Sequence, residues 1–178
     1  GLSRFTPETD RFETFLTEGQ CAGVTKSIDI RAILSEGNYL WLGTAGAGLY
    51  QLNPVTCGFK QYQFDQFNTH SISNNHARLL LRDKSYLWIG TRNGLNRLDP
   101  IKGTFKRFHA NPLSKKSISH DLIRALFIDR RGNFWVGTGA GLSRYDADTE
   151  SFDTINVVQG LLSDSDVRSV FEDDQGIF

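Results

Sequence analysis

The chain has 178 residues, of which 39% are hydrophobic and 22% charged, so it is long enough to bury a core and lacks a disordered composition. Twenty basic residues balance twenty acidic ones, which disfavours nucleic acid or an anionic membrane surface as a partner. The apolar runs fall far short of the roughly 20 residues needed to span a bilayer, so we expect no direct membrane insertion.

A repeat dominates the sequence. The stretches "LWLGTAGAGLYQLNP", "LWIGTRNGLNRLDP" and "FWVGTGAGLSRYDA" place Trp41, Trp88 and Trp135 at intervals of 47 residues. Similar heads ("DIRAIL", "HARLLL", "LIRALF", "DVRSVF") precede an acidic turn in each unit. We therefore divide a single domain, 1–178, into three whole units and a partial unit at each end, at about 1–17, 28–65, 76–109, 122–157 and 166–178.

Each whole unit predicts four short strands in chain order. Turn residues separate the four segments, which are an apolar run, a Trp-containing run, a run after the Gly-Leu pair and a segment that opens on Phe. In the fourth segment a second large apolar residue follows three positions after the Phe, as in Phe105 and Phe108. This spacing departs from ideal strand alternation, but the segment is too short for a stable helix, so we predict a twisted outer strand.

Periods of 40 to 50 residues with four strands each are typical of an all-β fold, the β-propeller, whose blades are four-stranded antiparallel sheets around a central channel. At a period near 47 the chain supplies about four blades' worth of sheet. Natural propellers have about four to eight blades. We therefore expect a larger ring, or one that a second copy of the chain completes through exposed blade edges.

The Trp-x-Gly-Thr motif is interpreted as structural. A blade buries both faces only against its neighbours, so a recurring indole is expected to lie between adjacent blades, with the nearby glycines leaving room for the ring. The threonines suit a strand, and the glycines that follow permit turns with positive φ. The residues assigned to this motif are Trp41, Gly43, Thr44, Trp88, Gly90, Thr91, Trp135, Gly137 and Thr138.

The order of features in each unit resembles the two-component regulator propeller repeat. These features are an acidic turn, [LF]-W-[LIV]-G-T, a Gly-Leu pair, an Asn/Asp turn and an aromatic strand. Departures are small: Glu36 replaces the usual Asp in one acidic turn, and "DKS" lacks its glycine. The resemblance implies a periplasmic sensory propeller of a bacterial membrane receptor, either a hybrid histidine kinase or a diguanylate cyclase. Such receptors often detect carbohydrate or another small ligand, and the output domain lies outside these residues.

Two other functions stay open beside the sensor: a scaffold that binds partner proteins through flat propeller faces, and a propeller lyase or hydrolase. We expect no enzymatic activity in this segment, no metal and no cofactor, because the four histidines fit no zinc-protease or nucleophile-elbow pattern. In an enzyme, His76 or His120 would be the general base. Expected partners of the sensor are a small ligand and the rest of the receptor.

Candidate binding residues lie on the loops that lead into the innermost strands, near the mouth of the channel. Scaffold-held loops of this kind commonly carry specificity. The alternative is that their side chains only cap the loop backbone. The candidates are Asn74, Asn75, His76, His120, Asp121 and Asp164.

Four arginines recur near the start of the first strand: Arg31, Arg78, Arg124 and Arg168. At one height around the channel they would bind a carboxylate, a sulfate or a uronic acid. The alternative, which we favour here, is that each guanidinium pairs with a carboxylate or carbonyl and bridges blades, because four unpaired buried charges would be costly.

The two cysteines are predicted to lie apart. Cys57 falls in the turn between the third and fourth strands, whereas Cys21 falls in a loop between units, so they should occupy opposite faces roughly 20 Å apart. That separation excludes a disulfide, and unpaired cysteines do not decide the compartment.

Overall fold

The computed structural model describes residues 2–14, 21, 28–155 and 164–176, and these contain fourteen strands and no helix. The strands are β1 (Ser3–Thr6), β2 (Arg11–Thr14), β3 (Ile30–Glu36), β4 (Tyr39–Thr44), β5 (Leu49–Leu52), β6 (Phe59–Tyr62), β7 (Ala77–Asp83), β8 (Tyr86–Thr91), β9 (Leu95–Asp99), β10 (Thr104–Phe108), β11 (Ile123–Ile128), β12 (Phe134–Thr138), β13 (Gly141–Asp146) and β14 (Ser151–Ile155). Among these residues there is no helix of the length and apolarity that would cross a membrane.

The strands form three antiparallel blades, which confirms the all-β propeller architecture. Blade 1 has the order β3-β4-β5-β6, blade 2 the order β7-β8-β9-β10 and blade 3 the order β11-β12-β13-β14, while β1 and β2 form a separate pair. The head of the last unit, predicted as a strand, has no strand assignment, although the Val167 amide donates to the Thr138 carbonyl of blade 3 (2.9 Å). No pairing strand of its own unit lies within the described part of the chain.

Aromatic side chains fill the spaces between blades. The Trp88 ring of blade 2 lies 4.6 Å from Phe134 and 4.9 Å from Tyr145 of blade 3 (centroid distances). Trp41 of blade 1 packs in one cluster with Leu98 of blade 2. Trp41 and Trp88 are fully buried. The predicted position of the indoles between neighbouring blades is therefore confirmed for both.

The three-residue spacing in the outer strand has a simple geometric cause. Phe105 packs in the core between blades 1 and 2, whereas Phe108 packs in the core between blades 2 and 3. Positions three apart point to opposite faces of a strand, so the outer strand of blade 2 supplies one aromatic side chain to each of its two interfaces.

The motif glycines leave room for the next blade rather than for the indole. A Cβ on Gly43 would lie 2.8 Å from the Ala77 carbonyl oxygen of β7, and one on Gly137 would lie 2.6 Å from the Val167 carbonyl oxygen. At Gly90 the Cβ would meet a methyl carbon of Ile123 at 2.8 Å. The glycines thus allow the first strand of one blade to approach the second strand of the blade before it.

Threonine closes the turn that follows the Trp strand. The Thr91 hydroxyl donates to the Gly94 carbonyl (2.8 Å) and accepts from the Asn93 amide (3.1 Å). Thr44 and Thr138 make the same pair of bonds in blades 1 and 3. The Gly-Leu glycine ends this turn with a positive φ, 98° at Gly94, as predicted.

In blades 1 and 3 the acidic turn fixes the indole. The Trp135 Nε1–H donates to the Asp129 carboxylate at 2.9 Å, and the Trp41 Nε1–H donates to Glu36 at 2.7 Å. Asp129 also accepts from the amides of Arg131 and Asn133 and from the Asn133 side chain. Burial raises the pKa of Asp129, but these hydrogen bonds outweigh burial and leave the pKa below its ordinary value.

Asp129→Asn is expected to lower the free energy of unfolding at pH 7 by about 1–3 kcal/mol, because several donors lose a charged acceptor. A carboxyl group whose pKa is lowered by folding stabilises the fold above its unfolded pKa, about 3.9, and that contribution disappears as the pH falls below it. The variant should therefore differ strongly from the parent in urea denaturation at pH 7 and much less at pH 3. Asp148→Asn, at an exposed position, is the control; an equal loss in both variants would contradict the assignment.

The prediction that the cysteines lie apart is wrong. Cys21 and Cys57 form a disulfide, with their Cα atoms 5.2 Å apart. Cys21 is buried against Leu42 and Leu52, on the face of blade 1 that points away from blade 2. The position of Cys21 in a loop before β3 predicts that it lies at one end of the blade, whereas hydrophobic burial places it on the sheet face, beside Cys57 of the β5–β6 turn.

Candidate functional site

Three of the predicted loop residues act as local caps. The Asn74 side-chain oxygen accepts from the His76 amide (2.8 Å), His120 Nδ1 accepts from the Leu122 amide (2.9 Å), and the Asp164 carboxylate accepts from the Asp166 amide (3.1 Å). Each bond spans two residues at the entry to a first strand. This geometry shapes the loop backbone in the same way in successive units.

Asn75 and Asp121 connect each loop to its surroundings. The Asn75 side chain accepts from the Phe64 amide, and the Asp121 carboxylate accepts from the Ala110 amide, both at 2.7 Å. Asp121 also lies 3.3 Å from His109 Nδ1. The backbone carbonyl of Asn75 accepts from two glycine amides in the β4–β5 turn, and that of Asp121 accepts from Gly94. The two side chains hold the loops, and the two carbonyls join neighbouring blades.

The arginine column is built differently, because each member in a blade lies at an irregularity of its strand. The pairing register between the first and second strands shifts between Ile30 and Ala32, between Ala77 and Leu79, and between Ile123 and Ala125. The residues at these shifts are Arg31, Arg78 and Arg124. A bulge redirects a side chain out of the regular pleat, and bulges are common beside functional sites.

All four arginines line one cavity of about 380 Å³, together with Leu79 and Ile123. Three first strands and the head of the last unit therefore bring the whole column together, as the predicted common height requires. None of the six loop candidates lines this cavity. The described structure thus separates the two predicted groups into a convergent arginine cluster and a set of loop caps.

Two carboxylates form ion pairs with three of the four guanidinium groups. Asp29 pairs with Arg31 (2.5 Å), and Asp166 pairs with both Arg124 (3.1 Å) and Arg168 (2.9 Å). A hydrogen bond from Arg168, the largest cause, together with the two positive charges, lowers the pKa of Asp166. The Arg124–Asp166 pair joins blade 3 to the last unit. The cavity therefore retains an excess of positive charge.

Arg78 makes no ion pair with any residue that the structure describes. The residue two positions before the arginine is Asp29 in blade 1 and Asp166 in the last unit, but it is His76 in blade 2. His76 Nδ1 is a buried atom without a hydrogen-bond partner among the described residues. The pairing carboxylates, Asp29 and Asp166, were not predicted, although the Asp-x-Arg spacing in two units indicates them.

No group of three or more histidine, cysteine or acidic side chains within the described ranges is arranged to hold a metal ion. The basic cavity is also poorly suited to a cation, because four guanidinium groups surround it. What the arrangement offers chemically is recognition of an anion by planar donors.

Comparison with known proteins identifies the repeat. Residues 117–140 match the family model of the two component regulator propeller. Histidine kinase P4 of Formosa agariphila is 31% identical to the chain, in a match that covers 70% of the chain and 12% of the kinase. The chain thus corresponds to a small part of this relative.

Solved structures share the fold. Two extracellular domains from B. thetaiotaomicron, named for hybrid two component systems, superpose with TM-scores of 0.52 and 0.53 at 19% and 21% identity. Each match covers 94% of this chain but only 34% and 27% of the respective domain. The computationally designed Ika4 protein superposes with a TM-score of 0.57 at 15% identity, over 84% of both chains. The chain is a β-propeller segment built from repeats of the two-component regulator propeller family.

Proposed function

We propose that the chain is an extracytoplasmic sensory segment of a bacterial signalling receptor, with the kinase or other output activity in another part of that receptor. The family of its repeats and the likeness to a histidine kinase support a role in signalling. The Cys21–Cys57 disulfide supports a location outside the cytoplasm, because such bonds persist mainly in oxidising compartments. In a bacterium with two membranes this location is the periplasm.

The role of the segment is binding rather than catalysis, and its ligand is an anion at the arginine-lined cavity. The observation that carries this proposal is the bulge at Arg31, Arg78 and Arg124, which directs three guanidinium groups to one cavity. Carboxylates or sulfates on a sugar fit the planar donors of arginine. Arg78 is the principal contact, since no described carboxylate neutralises it.

Arg78→Ala is expected to weaken binding of an acidic oligosaccharide about tenfold or more, because a charge-assisted hydrogen bond contributes about 1.5–3 kcal/mol. Calorimetric titration with tetragalacturonate, and with neutral maltotetraose as the comparison ligand, measures the effect. Arg92→Ala is the matched control, since it removes an exposed guanidinium from the β8–β9 turn outside the cavity. Unchanged affinity in a folded Arg78→Ala variant, or equal losses in both variants, would contradict an anion site here.

A further inference from the structure

Two loops between blades have the same internal structure. Residues 65–72 connect blades 1 and 2, and residues 111–118 connect blades 2 and 3. In each loop the first amide donates to a serine hydroxyl six residues on, at Ser71 (2.8 Å) and Ser117 (2.9 Å). In each loop an amide of the following outer strand also donates to a loop carbonyl, from Phe105 to His70 and from Phe152 to Lys116. The loops are equivalent, position by position.

The first loop encloses a guanidinium group. Arg107, on the outer strand of blade 2, donates through Nε to the Ser71 carbonyl at 2.7 Å. Its Nη2 lies 2.5–3.3 Å from four more oxygens: the Ser71 hydroxyl and the carbonyls of Asp65, Asn68 and Ile72. The guanidinium carbon lies 5.4 Å from the centroid of the Phe64 ring. The loop is therefore a receptor for a planar cation.

The second loop keeps the receptor but has small side chains where Arg107 and Phe64 stand in the first. The position of Arg107 is occupied by Thr154, and that of Phe64 by Ala110. The Thr154 hydroxyl lies 3.3 Å from the Ser117 carbonyl oxygen, which reproduces one of the arginine contacts, and 3.2 Å from the Ser143 hydroxyl. A cavity of about 820 Å³ opens here, lined by Ala110, Asn111, Ser114, Ser117, Ile118 and Thr154 among others.

We propose that this cavity, the rim cavity, binds a guanidinium group from outside the chain, such as the side chain of an exposed arginine. The acceptors are the carbonyl oxygens of Asn111, Ser114 and Ile118 and the Ser117 hydroxyl, the counterparts of those that hold Arg107. The Ser117 hydroxyl oxygen lies 3.2 Å from each of these three carbonyl oxygens and donates its one hydrogen to one of them at a time, so the carbonyls converge on one point. A carbonyl oxygen has two lone pairs and accepts a second donor.

The charges around the rim cavity predict a modest affinity. Asp153 lines the cavity, but Lys116 (2.7 Å) and Arg144 (3.5 Å) already pair with its carboxylate. These bonds, with that of Lys116 first, lower the pKa of Asp153, so the carboxylate is ionised at neutral pH. Lys115 also lines the cavity, and its ammonium opposes a second cation. The corresponding residue of the first loop is Thr69, which carries no charge.

The test is a titration of the chain with methylguanidinium chloride, followed through the backbone amide signals in NMR spectra. We expect saturable shifts confined to 111–118 and Thr154, and no such shifts with methylammonium chloride, which lacks the planar fork. Thr154→Arg should weaken binding about tenfold or more, since the new side chain occupies the receptor as Arg107 does in the first loop. Lys115→Thr should tighten binding.

Arg107→Thr is the reciprocal variant, because it opens the first loop and should add a second set of shifts at 65–72. If that variant does not fold, Thr154→Arg and Lys115→Thr still decide the question. In the parent chain, shifts outside 111–118 and Thr154 would overturn the proposal, as would an affinity that neither Thr154→Arg nor Lys115→Thr changes. A capped Ala-Arg-Ala peptide distinguishes the source of the cation. Binding of the peptide at least as tight as that of methylguanidinium supports an arginine side chain as the ligand. Loss of binding would limit the site to small free guanidines and overturn that part of the proposal.

Discussion

Trp88→Ala is expected to lower the free energy of unfolding by about 3–5 kcal/mol, the range for truncating a buried large aromatic side chain. The ring is fully buried and contacts Phe108 of its own blade and Phe134 and Tyr145 of blade 3. Its removal leaves a cavity between two blades, and the rigid sheets on either side relax only in part. Urea denaturation followed by circular dichroism measures the loss.

Trp135→Ala is the matched control for Trp88→Ala. It removes the same side chain from the equivalent strand, but Trp135 is only partly buried in the described structure. The expected loss is therefore clearly smaller, although the hydrogen bond to Asp129 is also removed. Equal losses in the two variants, or a larger loss at Trp135, would contradict the view that burial between blades makes the indole a structural element.

The sequence predicts the blade because its signals are local and periodic. Each strand is indicated by its own apolar run and each turn by glycine or an Asx residue, and three whole units repeat the same pattern. The arginine column also follows from period alone, since equivalent positions in equivalent strands come together around one axis. The repeat period does not predict the bulges at Arg31, Arg78 and Arg124, because a bulge depends on how two strands pair.

The glycine and cysteine positions show why some contacts of the fold could not be predicted from the sequence. Position 43 requires glycine because the backbone of β7 lies against it. Since β7 comes more than thirty residues later in the chain, no local pattern reveals this contact. Cys21 reaches Cys57 because Cys21 is buried on a sheet face, and that burial does not follow from its loop position in the sequence. The rim cavity arises from a difference between two equivalent loops, and neither Ala110 nor Thr154 is an unusual residue by itself.

Replacing both cysteines, Cys21→Ser with Cys57→Ser, is expected to lower the free energy of unfolding by about 3–4 kcal/mol. The crosslink joins residues 36 positions apart, and a closed loop of that length removes roughly this much conformational entropy from the unfolded chain. It also holds Cys21 against Leu42 and Leu52. Urea denaturation of the double variant and the oxidised parent gives the difference.

The reductant separates the crosslink from other effects of these substitutions. Dithiothreitol should bring the parent close to the stability of the double variant, while the double variant should not respond. Cys21 is nearly inaccessible and Cys57 is half-buried, so the bond should react more slowly with the reductant in the folded protein than in urea. A parent whose unfolding is unchanged by complete reduction would contradict a stabilising crosslink. It would also weaken the inference of an oxidising compartment, because that argument requires the bond to matter where the protein works.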